Sequence, residues 1–250
     1  MDADLHFKQK TLEQHQIDEF NTDVFAKKQA THFETLTANA RSNNSIKTVV
    51  DMGGGNGYFA TELSGMEIFV RIIDSDKKSI QNCKNLNNIY IDAHIGNALS
   101  PDIKGDEDIV CFNLILHHLI GATEKETREL QKKTIRLWRD RVQYIFINEY
   151  IYDSFVGYFS GRLIYEITKN KFLSMISKIV THVIPSFRAN TFGVGVRFRA
   201  HKEWCDIFEE CGFEIVSKIY AEPDYTAPVL RILFIREVRT DSFLLKARRG

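Results

Sequence analysis

The sequence predicts an α/β protein built on a doubly wound, mostly parallel sheet. Three observations predict it. Short apolar runs rich in β-branched residues alternate with stretches of helical spacing between residues 46 and 151. A run of glycines directly follows the first apolar run, and an aspartate closes the second.

The elements are expected in this order. Residues 1–42 lack Gly and Pro and carry widely spaced apolar residues (Phe25, Phe33 and Leu36 among them), which predicts one or two helices lying over the core as a cap. After the break at Asn43-Asn44-Ser45, Ile46 to Met52 reads as a buried strand, and Tyr58 onward as a helix. Strands are then expected at Glu67 to Asp74, Ile89 to His94, Asp108 to Leu114 and Val142 to Tyr150. Helices are expected at Lys77 to Leu86 and Glu124 to Arg139. From Ile151 to Ala200 the alternation stops. Phe155 to Val183 reads as amphipathic helix, and Phe187 to Arg199 as a loop. Lys202 to Cys211 is a further helix closed by Gly212. Strands at Phe213 to Ala221 and Val229 to Val238 complete the sheet as an antiparallel pair, and the tail from Lys246 is expected to fray. The length of 250 residues suits one domain, 1–250, with 46–151 and 202–238 as its core and 152–200 as a helical insertion.

Composition narrows the function. Lys plus Arg and Asp plus Glu both number 33, so no net field favours nucleic acid, which is not expected as a partner. Cys83, Cys111, Cys205 and Cys211 are scattered without metal-ligand spacing, so no metal is expected and free thiols in a reducing compartment are. The charged N-terminus does not read as a signal peptide, and Arg162, Glu166, Lys169, Lys171 and Lys178 interrupt the stretch from Phe155 to Pro185 too often for a transmembrane helix. A cytoplasmic protein is the expectation. A homodimer is left open, as is docking of Phe155 to Val183 on a membrane or partner.

The chemistry starts at Asp51-Met52-Gly53-Gly54-Gly55-Asn56-Gly57. Glycine at a strand-to-helix turn lets the backbone take positive φ or approach a ligand closely, and the N–H groups of the turn then face that ligand. Asp74 ends the next strand, where a carboxylate can accept hydrogen bonds from ribose hydroxyls. Gly55-Asn56-Gly57-Tyr58-Phe59-Ala60 also satisfies the dinucleotide pattern, so an NAD-dependent oxidoreductase is a rival, although no Tyr-x-x-x-Lys pair lies near the fifth strand.

Gly53, Gly55 and Gly57, preceded by Asp51, resemble motif I of the class I S-adenosylmethionine-dependent methyltransferases. Ile73-Asp74-Ser75 resembles that family's second strand end, and Gly96-Asn97-Ala98 stands where the family commonly has Gly-Asp-Ala beside the adenine. Asp108 through Asn113, Leu114 and on to Leu119 looks like its fourth strand and following turn, and Trp204 to Gly212-Phe213 with two strands looks like its closing segment. The resemblance implies a Rossmann-like fold and S-adenosylmethionine as cofactor, with S-adenosylhomocysteine as product. It places Asp51, Gly53, Gly55, Gly57, Asp74, Ser75, Asn97, Ala98, Asn113 and Leu114 at the cofactor. Asn97 departs from the family's acid, keeping an acceptor while losing the charge.

Enzymes of this kind that methylate base amines or amides often carry Asn-Pro-Pro-Tyr where this chain has Asn113-Leu114-Ile115-Leu116. That shifts the expected acceptor to a small molecule methylated on O, N or C. The aromatic residues Phe155, Tyr158, Phe159, Tyr165, Phe172, Phe187, Phe192 and Phe198 suit an apolar or aromatic acceptor, or else pack on the sheet. His117 and His118 follow the fourth strand and either line the acceptor pocket or close a turn. Glu149, at the fifth strand's end, either contacts the acceptor or is solvated or salt-bridged. His201 and His182 are weaker candidates. Arg188, Arg197, Arg199 and Lys202 either read an acidic group or form a solvated loop face. A methyltransferase-like binding or regulatory subunit is the non-enzymatic rival.

Overall fold

The computed structural model describes residues 25–42, 46–170, 195–223 and 228–248. The expected features within 1–24 and 171–194, including Phe172, His182, Phe187, Arg188 and Phe192, lie outside the described residues.

In chain order the elements are α1 (Ala26–Ser42), β1 (Thr48–Met52), α2 (Tyr58–Ser64), β2 (Phe69–Asp74), α3 (Lys77–Asn85), β3 (Ile91–Ile95), β4 (Ile109–Asn113), α4 (Glu124–Arg136), β5 (Tyr144–Ser154), α5 (Phe159–Lys169), α6 (His201–Glu210), β6 (Phe213–Tyr220) and β7 (Ile235–Ala247). Short 3-10 turns lie at Leu116–His118 and Pro228–Leu233. The seven strands form one sheet in the order β3-β2-β1-β4-β5-β7-β6. The first five are parallel, and β7 runs antiparallel to both β5 and β6. The order reverses at β1, and the helices that follow β1 and β4 pack on opposite faces, the switch point at which an open α/β sheet usually has its ligand crevice.

Two apolar layers cover the sheet. Phe33, Leu36, Phe59, Leu63, Ile80, Ile72, Cys111 and Phe146 pack beneath α1, α2 and α3. Leu116, Leu130, Ile135, Trp138, Trp204, Phe208 and Phe243 pack on the opposite face beneath α4 and α6. The strands are apolar on both sides because both faces are covered. Local chemistry starts the helices. Thr123 and Glu126 form a reciprocal capping box at α4, and Asp76 accepts from the N–H groups of Lys78 and Ser79 at α3.

The last strand corrects the sequence reading. It runs from Ile235 to Ala247 rather than from Val229 to Val238, and the segment before it is a 3-10 turn. The tail from Lys246 therefore does not fray at once: Lys246 and Ala247 pair with Glu214 and Phe213. Polar residues suggested an ending, yet they are paired. Arg239 binds Asp153, and Asp241 binds His201. β5 continues past Tyr150 to Ser154 because β7 gives it a full antiparallel partner, with a register shift at Asp153 and Ser154. α4 stops at Arg136, and Trp138 is wholly buried in the turn that follows.

Candidate active site

The glycine loop leaves β1 at the crevice. Gly53, Gly55 and Gly57 all take left-handed φ, of 72°, 52° and 77°. Gly54 is held by crowding instead: a Cβ there would stand 2.4 Å from Asp51 Oδ2. The N–H of Gly53 donates to Ile73 O at 2.8 Å, which ties the loop to the end of β2.

At that end Asp74 is half-buried. Its Oδ2 accepts from Gly55 N at 2.9 Å and its Oδ1 from Asp76 N at 2.8 Å. Burial pushes this carboxyl above the usual range, against the pull of those N–H bonds. Ser75 follows it and is exposed. Gly96 donates its N–H to Asp74 O at 2.9 Å, so the Gly96-Asn97-Ala98 turn rests on the same strand tip. Ala98 is buried, whereas Asn97 is exposed and uses its side-chain oxygen to accept from Leu99 N at 2.8 Å.

Asp51 is wholly buried under the loop. Its Oδ1 accepts from Asn113 Nδ2 at 3.2 Å, while its Oδ2 and Asn113 Oδ1 have no hydrogen-bond partner. Burial, with the nearby charge of Asp74 added, pushes the Asp51 carboxyl up to about 7 despite the bond from Asn113. Buried polar atoms without partners are costly, and these two stand side by side where strand order reverses.

The β4 tip turns sharply through Leu114, whose φ is 55° and whose N–H is held by Asn148 O at 2.8 Å. That turn delivers the next residues to Glu149 on β5. Glu149 is wholly buried; its Oε1 accepts from Leu116 N at 2.7 Å and its Oε2 lies 2.6 Å from His117 Nδ1. Of the expected alternative for Glu149, solvated or salt-bridged, the solvated form is overturned and the paired form is found: β7 covers its strand edge, and Leu116 N and His117 replace water. A carboxylate at Nδ1 keeps the proton on that nitrogen and leaves Nε2 as the acceptor. The His118 ring lies tilted against His117 with centroids 4.2 Å apart, and burial, then His117 itself, hold it well below histidine's usual range. Around His117 stand Phe198 at 5.0 Å and Tyr150 at 5.8 Å, with Tyr152 stacked on Phe198 at 4.2 Å.

Arg197 and Arg199 do not form a solvated face. Both are wholly buried and ion-paired with Glu124 and Glu203. The Arg197 N–H donates to His117 O at 3.0 Å. Gln131 donates to Leu116 O at 3.0 Å and accepts from Arg199 Nε at 2.7 Å. These residues position the histidine turn, and sequence reasoning missed that role because their partners are distant. On the other face Gln29 donates to Asn148, and Asn148 donates to Ser242, which bonds His32. His201 pairs with Asp241, which stands opposite Glu149 in the β5–β7 register. Of the expected aromatic cover, Tyr165 is buried and Phe155 and Phe159 are exposed. Among the described residues no group of three or more His, Cys, Asp or Glu is arranged to hold a metal ion, and no helix is long and apolar enough to cross a membrane.

No protein-family model and no curated protein matches the sequence. Solved structures do. The chain has the class I S-adenosylmethionine-dependent methyltransferase fold. It is similar to the magnesium protoporphyrin IX methyltransferase of Synechocystis PCC 6803 with bound S-adenosylhomocysteine, at TM-score 0.56 and 12% identity, covering 90% of this chain and 86% of that one. It is similar to a mitomycin 7-O-methyltransferase at TM-score 0.50 and 11% identity, over 81% of this chain and 49% of that one, so it spans about half that enzyme's length. A third similar structure, at TM-score 0.53 and 12% identity, is a pericyclic reaction enzyme, matched over 86% of this chain and 46% of that one. The fold thus carries more than one chemistry, and activity has to be argued from the site.

Proposed function

We propose that this protein is an S-adenosylmethionine-dependent methyltransferase acting in the cytoplasm on an oxygen or nitrogen, or a carbon, of a small apolar or aromatic molecule. The observation that carries the reading is the junction of the glycine loop with the β2 tip, Gly55 N to Asp74 Oδ2 at 2.9 Å, beside the unpartnered and buried Asp51 Oδ2. The site fits this cofactor. The left-handed glycines and the crowding over Gly54 leave a cradle of bare backbone. Asp74 has lone pairs for vicinal hydroxyls beyond those its N–H partners use, Asp51 and Asn113 offer acceptors to an ammonium group, and Asn97 with Ala98 borders the base. When bound, the cofactor supplies a methyl group already activated by its sulfonium.

The chain's own residues then position the acceptor and manage its proton. Tyr150, Tyr152 and Phe198 form an aromatic wall against which a planar acceptor packs, and His117 lies at its base. With its Nδ1 proton fixed by Glu149, His117 takes the acceptor's proton at Nε2, and Glu149 stabilises the resulting imidazolium. His118, kept neutral, lines the same turn without a charge of its own.

Calorimetric titration of the purified protein with S-adenosylmethionine, S-adenosylhomocysteine and NAD tests the cofactor. Binding of the first two is expected, and NAD binding with no affinity for either sulfur nucleoside overturns the assignment. A metabolite screen with labelled methyl donor then tests turnover. Cofactor binding without any labelled product across acceptor classes would favour a binding subunit.

A further inference from the structure

A large apolar side chain left singly in solvent is ordinary, and Ile89 and Val216 are such cases. At the end of β5 the pattern is different. Phe155, Val156, Phe159, Ile232 and Phe234 are all exposed, and they gather where β5 ends, α5 begins and the 3-10 turn Pro228–Leu233 packs on α5. Backbone bonds join the pieces. Phe155 N and Ser154 Oγ both donate to Phe234 O, at 2.9 Å and 3.1 Å, and Phe159 N donates to Val156 O at 3.0 Å. The Phe159 and Phe234 rings meet edge-on with centroids 5.1 Å apart. Phe234 itself is held at φ 58°, a left-handed conformation that is costly for a bulky residue. That cost does not serve the core, because Phe234 is 43% exposed.

The rim of this cluster is cationic. Arg162 stands three residues past Phe159 on the same helical face, and Arg231 and Arg236 flank the segment from Ile232 to Phe234; all three are exposed. The nearby acids are already taken. Asp153 and Glu237 pair with Arg239, Asp153 also lies 3.6 Å from Arg236, and Glu166 pairs with Lys169 at 2.7 Å. Arg162 and Arg231 have no ion pair among the described residues.

We infer that this surface docks the protein on an anionic phospholipid bilayer. The five apolar side chains enter the headgroup boundary, and Arg162 and Arg231 meet lipid phosphates, which suit the planar guanidinium. The charge selects this occupant over a second copy of the chain: a two-fold contact sets the same surface against itself and would bring like charges together. The attachment is peripheral, since no helix among the described residues is long and apolar enough to cross a membrane. It also adjoins the candidate site. Tyr152 of the aromatic wall and Phe155 are three residues apart along the end of β5, about 10 Å of strand. An apolar acceptor dissolved in the bilayer would thus lie near that wall. This consequence rests on the methyltransferase reading, whereas vesicle binding does not.

Flotation of the purified protein with vesicles of phosphatidylcholine, alone or carrying about one-third phosphatidylserine, tests the proposal. Binding is expected to be at least about five-fold stronger on the anionic vesicles and to weaken as salt is raised from about 0.1 M to about 0.5 M. The Arg162→Gln/Arg231→Gln variant should lose about thirty-fold in vesicle affinity, about five-fold per arginine. Val156→Ser/Ile232→Ser should lose binding too, while Ile89→Ser, a like change at an exposed site elsewhere, floats as the wild type does. Thermal melts check that each variant folds, and if the serine pair does not, the arginine pair decides alone. Absence of flotation on anionic vesicles at low salt overturns the proposal, and so does flotation that both variants leave unchanged. A dimer in light scattering that Val156→Ser/Ile232→Ser splits, with no flotation, overturns it in favour of an interface between copies. Vesicle binding by a protein without affinity for S-adenosylmethionine would uphold the docking surface and remove the methyltransferase reading alone.

Discussion

Arg197 and Arg199, both wholly buried, hold one carboxylate between them: Glu124 Oε2 is 2.9 Å from Arg197 Nε, and its Oε1 is 2.9 Å from Arg199 Nη1. Glu203 repeats the pairing through one oxygen at 2.6 Å and 3.3 Å, so two buried cations meet the buried Glu203 and the half-buried Glu124. Burial acts to raise Glu124, but Arg199 and Arg197 prevail and hold it below the usual carboxylate range. Removing one member leaves an uncompensated buried charge. Glu203→Ala is therefore expected to cost about 3–5 kcal/mol in urea unfolding. A loss below about 1 kcal/mol would show that water reaches these side chains.

Gly54→Ala tests the cradle without imposing an unusual backbone angle, since Gly54 is not among the positive-φ glycines. The added methyl would lie 2.4 Å from Asp51 Oδ2 and 3.0 Å from Ile72 Cγ2, so the carboxylate must move. S-adenosylmethionine affinity is expected to fall at least ten-fold by calorimetry, with a stability loss of about 1–3 kcal/mol. Unchanged affinity would place the ligand elsewhere.

Asp51 makes stability depend on pH. The carboxyl ionises at 3.8 when unconstrained and at about 7 when buried. Between those values the native state keeps a proton that the unfolded state has lost. Stability is thus unpenalised below pH 3.8, falls as pH rises through the window, and carries the full cost above about 7. Asp51→Asn should remove this slope, on the order of 2–4 kcal/mol. Unfolding curves of both proteins at pH 5 and pH 8 would reveal it, and parallel behaviour of the two would sink the idea.

Glu149→Gln should separate binding from turnover. Glutamine can still accept from Leu116 N but can no longer stabilise a cationic His117. Cofactor affinity is expected to stay within about three-fold, while methyl transfer to an acceptor that must lose a proton drops about 10²–10⁴-fold. An equal fall in both would mean that the pair only braces the fold. His117→Ala should behave in the same way.

The strands that position the crevice were legible because Ile46 to Met52 and Asp108 to Leu114 are apolar on both faces and because glycine marks the turn between a strand and a helix. Asp74 was legible as the residue ending its strand. What hid was long-range pairing. Nothing near Arg197 announces that Glu124 lies 73 residues away, and nothing near Glu149 announces Leu116 N and His117. The last strand extends past the expected end at Val238, where Arg239 and Asp241 look like solvent-facing residues. Both are buried against specific partners. Polar residues mark an ending only when their partners are local.

The place of β7 between β5 and β6 has a further consequence during synthesis. While the chain emerges from the ribosome, the first six strands can be made before the one that belongs in the middle exists, and the edge of β5 waits unpaired for residues 235–247. Closing that gap late, by insertion of a long antiparallel strand, makes completion of the sheet and burial of Asp241 and Ser242 a single concluding event. A nascent chain stalled before it would expose a sticky strand edge to its neighbours.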